Sequence, residues 1–258
     1  MFEKIKCFIL DMDGTIYLGN ELFPFTKDFL KKVEDTGREY YFFTNNSSKS
    51  QQAYIEKLDK LGIQIKKDQM MISSHVIVKY LKEHYEGKSI YVLGTPSLIQ
   101  EFQYFDMNLT EEDPDIVVLG FDTTLTYEKL SKACHYIRNG CIYFGINPDW
   151  NCPMEGGAFI PDCGSMAKLI EASTGRFPEF FGKPSKHTLD YIIQETGYEP
   201  DEIAIVGDRM YTDIAVADQS DVMSILVLSG ESTREDVKTS DVKPNVILED
   251  LSEITKML

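Results

Sequence analysis

The sequence lacks several features, and each absence excludes a class of protein. The five cysteines are scattered and form no C-x-x-C pair, which argues against a disulfide framework and against a zinc knuckle. No apolar run approaches the roughly 20 residues that a membrane-spanning helix needs. Basic residues number 26 against 42 acidic ones, and the formal net charge of −16 disfavours nucleic acids and anionic membranes as partners. The opening stretch, MFEKIKCFILD, has no signal-peptide pattern, so together with the cysteines the sequence predicts a cytoplasmic protein.

The composition that remains is typical of a folded globular protein. Hydrophobic residues make up 43% and charged residues 26% of the 258. A chain of this length can form one large domain or two of ordinary size. Because the chain is so acidic, an anionic ligand would need local cations in order to bind.

Apolar runs alternate with helical patterns, which favours an α/β fold built on a parallel sheet. We predict strands at 7–10, 40–43, 89–94, 115–120, 141–146, 202–208, 224–230 and 245–250. We predict helices at 25–37, 50–62, 73–85, 96–104, 126–138, 165–175 and 186–196. Since the pattern restarts midway, we expect a core formed by both ends of the chain, 1–76 and 179–258. A smaller α/β domain, 77–178, is inserted between them.

Polar stretches directly follow three of the predicted strands. They are DMDGT after CFIL, TNNSS after YYFF and GDRMYTD after IAIV, and a fourth stretch, GKPS, opens a helix. Ligands bind at the carboxyl ends of the strands in open parallel sheets, so these stretches should converge at one edge. The side chains expected there are Asp11, Asp13, Thr44, Asn45, Lys183 and Asp208.

The residue types in this set suit a metal-assisted reaction on a phosphate. The three aspartates are hard oxygen ligands of the kind that Mg²⁺ prefers. Thr44 and Asn45 can donate hydrogen bonds to phosphoryl oxygens, Lys183 adds a cation, and Gly14 allows a sharp turn close to a ligand. One carboxylate of the D-x-D pair can attack phosphorus, while the other protonates the leaving oxygen and later activates water. A polar turn at a strand end explains each stretch alone, but not their joint occurrence in this order.

Other residues have side chains that could contact a substrate or act in catalysis, and we interpret them separately. Asp149 and Trp150, in the segment INPDWNCP, could contact the leaving group of a substrate, the indole by stacking. The four histidines lie in predicted helical patterns and are interpreted as helix-surface or cap residues without a catalytic role: His75, His84, His135 and His187.

The four motifs together resemble those of the haloacid dehalogenase (HAD) superfamily of phosphohydrolases. DMDGT, TNN, GKP and GDRMYTD match its four motifs, and the long insertion between the second and the third resembles the NagD-like, 4-nitrophenylphosphatase branch. TNNSSKS, NPD and CGSMAKLIEASTG are also similar to stretches of that branch. The resemblance covers essentially the whole chain. It implies a Rossmann-like parallel-sheet core with an inserted, mobile α/β cap that selects the substrate.

The resemblance also implies a role for each matched residue. Asp11 is expected to be the nucleophile and a metal ligand. Asp13 is expected to be the general acid/base and to hold the metal through its backbone carbonyl, which replaces the simpler picture of three side-chain ligands. The other implied roles are phosphate contacts for Thr44, Asn45 and Asn46, a cation that steadies nucleophile and phosphate for Lys183, and metal binding for Asp208 and Asp213.

The function predicted from the sequence is a Mg²⁺-dependent phosphatase acting on small phosphorylated metabolites such as sugar phosphates or nucleotides. Asp13 argues for phosphate chemistry over carbon–halogen chemistry, because dehalogenases lack the second acid. The alternatives are a phosphotransferase and a silent or signalling phosphometabolite-binding module. A silent sensor would be expected to lose Asp11 or Asp13, and both are present. The sequence leaves open the physiological substrate and the oligomeric state, a homodimer being one option.

Overall fold

The chain folds into two compact units. The structure, a computed structural model, describes residues 2–154 and 157–258. Among these residues, the first unit combines 2–44, 55–71 and 183–258, and the second unit combines 45–54 and 72–182.

The bounds of the two units differ from those of the predicted domains at three places, residues 45–54, 72–76 and 179–182. The predicted insertion, 77–178, lies within the longer segment of the second unit, 72–182. The short segment 45–54 was expected in the core, but it packs with the second unit. A buried hydrogen bond shows why, since Thr95 Oγ1 donates to the carbonyl oxygen of Ser48 at 2.8 Å. Contacts of this kind join residues that are far apart in sequence, so local sequence patterns do not predict them.

Strands and helices alternate through most of the described residues. The strands are β1 (Cys7–Leu10), β2 (Tyr17–Leu18), β3 (Glu21–Leu22), β4 (Glu39–Thr44), β5 (Met70–Ile72), β6 (Ile90–Leu93), β7 (Ile116–Leu119), β8 (Ile142–Gly145), β9 (Asn151–Pro153), β10 (Phe159–Pro161), β11 (Glu179–Phe180), β12 (Ile203–Gly207), β13 (Met223–Val227) and β14 (Val246–Leu248). The α-helices are α1 (Thr26–Asp35), α2 (Gln51–Lys60), α3 (Ser73–His84), α4 (Pro96–Tyr104), α5 (Tyr127–Arg138), α6 (Cys163–Thr174), α7 (Lys186–Thr196), α8 (Arg234–Thr239) and α9 (Leu251–Met257).

The first unit is built on a six-stranded sheet with the order β14-β13-β12-β1-β4-β5. The pairs from β14 through β4 are parallel, and Leu10 of β1 lies opposite Val206 on one side and Phe42 on the other. The chain runs outward from β1 through β4 to one edge and from β12 through β14 to the other. The strand order therefore reverses between β1 and β12, the point at which open α/β sheets bind ligands.

The sequence of β1 explains its central position. Its four residues, CFIL, are fully buried, as expected of a parallel strand covered on both faces. Helix α1 packs in the same unit, and the ring of its Phe29 meets Phe8 of β1 edge to face with centroids 5.7 Å apart. This packing fixes the end of β1, and with it the position of the residue that follows.

The second unit has its own parallel sheet, with the order β11-β8-β7-β6. Helices α5 and α6 supply Cys134, Ile137, Ala167 and Ile170 to a buried core on this sheet. A two-stranded antiparallel hairpin, β9–β10, occupies the region that the sequence predicted to be irregular. Three-residue strands are too short to show a hydrophobic period, so pattern analysis misses them.

The observed architecture confirms the predicted α/β class. Both larger sheets are parallel where their strand pairs are described, and helices separate most of their strands. Within residues 2–154 and 157–258, no helix combines the length and the apolar character needed to cross a membrane.

Candidate active site

Two aspartates meet at the reversal point of the first unit's sheet. Asp11 directly follows β1 and Asp208 directly follows β12, so the two neighbouring strands deliver them to the same edge. The N–H of Asp11 donates to the carbonyl oxygen of Val206 at 2.9 Å, which continues the parallel register past the end of β1. The predicted convergence of these two residues is therefore observed.

Asp213 joins them to form a group called here the acidic cluster, Asp11, Asp208 and Asp213. One carboxylate oxygen from each of the three lies within 4.8 Å of the others. Asp213 reaches this place from a π-helical turn, Met210–Ile214, and its Oδ2 accepts the N–H of Arg209 at 3.0 Å. Asp208 and Asp213 are each 1% exposed.

Lys183 is the buried cation of the site. Its side chain is 2% exposed, and its Nζ donates to Asp11 Oδ1 at 2.7 Å and to Asp213 Oδ1 at 2.6 Å. Nζ also donates to the carbonyl oxygen of Phe43 at 3.3 Å. A lysine that bridges two buried carboxylates has a fixed position, because charge-assisted hydrogen bonds of this kind are strong.

The electrostatics of the acidic cluster show an excess of negative charge. Burial raises the pKa of Asp11 to about 7, repulsion from Asp213 adds to the rise, and the charges of Lys183 and Arg209 oppose it. Burial and the charges of Asp11 and Asp213 raise the pKa of Asp208 well above its usual value. Burial alone would lower the pKa of Lys183, but its two carboxylate partners hold that pKa above its usual value. Lys183 pairs with two of the three carboxylates, and Arg209 also pairs with Glu231, so the acidic cluster has an excess of negative charge when its carboxylates are ionised.

The two oxygens of Asp208 differ in their surroundings. Oδ2 accepts the backbone N–H of Glu231 at 2.7 Å. Oδ1 is buried and has no hydrogen-bond partner among the described residues. Two glycines make room for this carboxylate, because a Cβ at Gly14 would lie 2.4 Å from Oδ2 and one at Gly230 would lie 2.0 Å from it. Gly14 also has a φ of +91°, which side chains rarely allow, so the turn after β1 requires glycine there.

Asp13 lies on this turn but is held differently from the acidic cluster. Its Oδ1 accepts the N–H of Gly19 at 3.4 Å. Its backbone forms an isolated bridge with Tyr17, next to the hydrogen bond from Gly14 N to Tyr17 O at 2.8 Å. The carboxylate of Asp13 thus contacts the turn of the β2–β3 hairpin.

The three expected phosphate contacts are divided between the units. Thr44 ends β4 in the first unit, and Asn45 and Asn46 begin the first segment of the second. Within the second unit, Asn45 Nδ2 donates to Asp149 Oδ2 at 2.9 Å. Asn46 Oδ1 accepts from the N–H and the hydroxyl of Ser48 at 3.0 and 2.6 Å. Both asparagine side chains therefore help to shape the turn that follows β4.

The structure corrects one of the expectations about other residues and adds contacts for a second. Asp149 is 2% exposed, and its Oδ2 accepts amide hydrogens from Asn45 and Asn147, whereas its expected contact with a substrate stays a prediction, so the correction concerns a histidine alone. His75 was expected at a helix surface, but it is 6% exposed with Nε2 2.8 Å from Glu101 Oε1. Its burial depends on packing between α3 and α4, which the sequence of α3 alone does not reveal. Trp150 is 48% exposed.

The sequence reading missed the loop after β13, residues 229–232. Its Ser229 hydroxyl donates to the carbonyl oxygen of Gly14 at 2.7 Å, and the N–H of Glu231 binds Asp208. The signal was present, because SGES follows an apolar strand in the same way as the three motifs that were singled out.

Comparison with known proteins identifies the family. Residues 8–108 match the family model described as haloacid dehalogenase-like hydrolase, and residues 180–254 match the one described as HAD-hydrolase-like. The acid sugar phosphatase of Staphylococcus aureus strain MRSA252 is 33% identical over 252 residues, which cover 97% of each chain. The chain belongs to the haloacid dehalogenase-like hydrolases.

Solved structures identify the branch of these hydrolases. The 4-nitrophenylphosphatase of Thermotoga maritima matches with a TM-score of 0.95 and 41% identity, covering 99% of this chain and 98% of that one. NagD from E. coli K-12 matches with a TM-score of 0.88 and 30% identity, covering 96% and 98%. This haloacid dehalogenase-like hydrolase is thus a NagD-type phosphatase. The predicted family and the predicted enzyme class, a hydrolase of phosphoric monoesters, are confirmed.

Proposed function

We propose that this NagD-type phosphatase hydrolyses small phosphorylated metabolites with Mg²⁺, through a phosphoryl group carried on Asp11. The observation that carries the proposal is the meeting of the acidic cluster with Lys183 at the reversal point of the sheet. A nucleophilic carboxylate, additional oxygen ligands and a fixed cation are the groups that phosphoryl transfer requires.

In the first step, Asp11 acts as the nucleophile. One of its carboxylate oxygens attacks phosphorus, the bond between phosphorus and the leaving oxygen breaks, and the leaving oxygen takes a proton from Asp13. Lys183 supports this step because its ammonium group contacts Asp11 Oδ1 and orients the attacking carboxylate. Its charge also stabilises the negative charge that spreads over the transferred group.

In the second step, water removes the phosphoryl group from Asp11. Asp13, now ionised, takes a proton from the water as it attacks phosphorus, and inorganic phosphate leaves with Asp11 restored. Asp13 suits this exchange because it lies on the turn after β1, two residues from Asp11, where its carboxylate accepts the N–H of Gly19.

The residues present fit a divalent cation. Asp208 Oδ1 is a buried acceptor without a hydrogen-bond partner among the described residues, and the three carboxylates of the acidic cluster, when ionised, carry more negative charge than the ammonium group of Lys183 neutralises. The ligands proposed are the side chains of Asp11 and Asp208, the backbone carbonyl of Asp13, and Asp213 as a further ligand. When bound, Mg²⁺ would supply positive charge that lets a phosphate dianion approach a carboxylate.

The remaining phosphate contacts and the role of the second unit complete the proposal. Thr44, Asn45 and Asn46 are proposed to donate hydrogen bonds to phosphoryl oxygens. The inserted region, predicted as 77–178, is proposed to select the substrate as a cap. The relative in Staphylococcus aureus is named acid sugar phosphatase, and this supports a sugar phosphate as the first substrate class to test.

The cellular setting and the assembly also stay predictions. All five cysteines are free, which is compatible with the reducing, cytoplasmic compartment predicted from their spacing. A homodimer, left open by the sequence, can be tested by sedimentation of the purified protein.

The experiment that tests the proposal measures phosphate release from p-nitrophenyl phosphate with Mg²⁺ and then with excess EDTA. We expect release that depends on the metal and is lost in Asp11→Asn, while Asp221→Asn, at an exposed aspartate, behaves like the parent. A panel of sugar phosphates and nucleotides then ranks the substrates by kcat/KM. Release that persists in EDTA, or in Asp11→Asn, would contradict the proposal.

A further inference from the structure

The loop after β13, residues 229–232, is fastened to both strand ends that carry the site. On one side, the Ser229 hydroxyl donates to the carbonyl oxygen of Gly14 at 2.7 Å. On the other side, the N–H of Ser232 donates to the carbonyl oxygen of Asp208 at 3.1 Å. The loop thus connects the turn after β1 with the segment after β12, and none of the roles proposed above uses it.

Within this loop, Glu231 acts on Asp208 through its backbone. Its N–H donates to Asp208 Oδ2 at 2.7 Å, while Oδ1 has no hydrogen-bond partner among the described residues. One oxygen of the carboxylate is therefore held by the protein, and the other stays available to a ligand. A hydrogen-bonded carboxylate loses less rotational freedom when it binds a metal, because its orientation is already fixed.

The side chain of Glu231 fixes the position of that N–H. Glu231 Oε2 forms an ion pair with Arg209 Nε at 2.9 Å, and Glu231 Oε1 accepts the hydroxyl of Tyr211 at 3.0 Å. Both partners lie on the segment that follows Asp208 in the chain. The carboxylate is 40% exposed, so its contribution is that of an anchored surface group and not of a buried charge.

We propose that Glu231 is a positioning residue for the metal site. Its side chain, anchored by Arg209 and Tyr211, holds the backbone N–H that orients the Asp208 carboxylate and leaves Oδ1 available to a divalent cation. The proposal rests on the proposed function, in which Asp208 is a metal ligand. It assigns to the loop after β13 a part in metal affinity.

The test titrates metal-free protein with MgCl₂ and follows the melting temperature. For Glu231→Ala we expect the Mg²⁺ concentration that gives half of the full stabilisation to rise about threefold to tenfold. This rise is no larger than the smallest loss of metal affinity that typically follows removal of a direct hydrogen-bond partner of a metal ligand. Glu231→Gln keeps an acceptor for Tyr211 and should stay close to the parent. Glu235→Ala is the matched control, since Glu235 lies four residues away in an exposed ion pair with Lys238.

Three further readings separate positioning from a general structural role. The melting temperature of Glu231→Ala in EDTA should stay close to that of the parent. With p-nitrophenyl phosphate, the Mg²⁺ concentration needed for half the maximal rate should rise, while kcat at saturating Mg²⁺ stays the same. If Glu231→Ala does not fold, Tyr211→Phe carries the test, with a smaller rise of the Mg²⁺ midpoint expected.

The outcomes separate this proposal from the proposed function. If the Mg²⁺ midpoint of Glu231→Ala equals that of the parent, the role of Glu231 is overturned and the metal site stays in place. The same holds for Tyr211→Phe if that variant carries the test. A parent protein that Mg²⁺ does not stabilise at all would overturn the proposed metal site itself, and with it the inference.

Discussion

Replacing Asp208 by asparagine removes one charge from the acidic cluster and keeps the shape of the side chain. The new amide oxygen can still accept the N–H of Glu231, which donates to Asp208 Oδ2 at 2.7 Å in the parent. The amide nitrogen takes the place of Oδ1, which has no hydrogen-bond partner among the described residues. Because the substitution removes one of the charges that repel each other when the carboxylates are ionised, the variant should be more stable than the parent in the absence of metal.

The size of this effect follows from the charges of the acidic cluster. At a pH high enough to ionise all three carboxylates, where the melting curves are to be recorded, two unit charges within 4.8 Å of each other repel by at least about 3.5 kcal/mol at an effective dielectric constant near 20. Asp208 has two such neighbours, Asp11 and Asp213, and the cations Lys183 and Arg209 cancel most of the repulsion. We expect a net gain of about 1–2 kcal/mol, which corresponds to a rise in melting temperature of roughly 2–8 °C for a chain of this size.

Magnesium should reverse the order of the two proteins. A ligand at 100 times its dissociation constant adds about 2.7 kcal/mol to the stability of the protein that binds it. The parent should gain this stabilisation, whereas Asp208→Asn should show little or no shift with MgCl₂ and should lose turnover. Melting curves in EDTA and in saturating MgCl₂ measure both effects, with the exposed Asp221→Asn as control. A variant that is less stable than the parent in EDTA, or one that keeps the full Mg²⁺ shift, would refute the reasoning.

Three other predictions concern single residues of the site. Lys183→Met should destabilise the protein by about 3–5 kcal/mol in EDTA, because it leaves two buried carboxylates unpaired, whereas Lys4→Met, at an exposed ion pair, should change denaturant midpoints little. Asp13→Asn should lower kcat/KM, which reports the first step, most for substrates with poor leaving groups, and an equal loss of kcat/KM across a series of aryl phosphates would argue against its acid role. Burial raises the pKa of Asp11 to about 7, so between about pH 4 and pH 7 the folded protein without metal binds a proton that the unfolded chain releases. The stability of the protein in EDTA should therefore rise as the pH falls from about 7 towards about 4. The rise in stability on lowering the pH should be smaller in Asp11→Asn than in the parent. If the melting temperatures of the parent and of Asp11→Asn depended equally on pH, the prediction would be contradicted.

Local patterns were sufficient to predict the parts of the fold that hold the site. The strands β1 and β12 are continuous apolar runs, and the polar residues that follow them indicate the edge of the sheet at which ligands bind. Helix α7 was predicted with the bounds the structure gives, 186–196, because Ser185 caps its start and Gly197, with a φ of +70°, ends it. The meeting of Asp11, Asp208 and Lys183 follows from these elements.

The features that were not predicted depend on contacts between distant residues. Asn45 and Asp149, 104 positions apart, form a hydrogen bond that no local pattern indicates. The burial of His75 against Glu101 depends in the same way on the packing of two helices. The position of the loop with Glu231 could have been predicted, because SGES follows an apolar strand, but its contact with Asp208 could not, because a backbone N–H makes it and any residue type except proline has that donor.

The most direct test of the account is to look for the phosphoryl group on Asp11. Asp13→Asn should accumulate phosphoenzyme with p-nitrophenyl phosphate, because this good leaving group needs no proton whereas the later attack of water needs a base. Rapid acid quench, proteolysis and mass spectrometry should then find one added phosphoryl group on the peptide that contains Asp11. Two results would contradict Asp11 as the nucleophile if the parent turns over the substrate. One is a phosphoryl group found on another residue, and the other is no phosphoenzyme at any time.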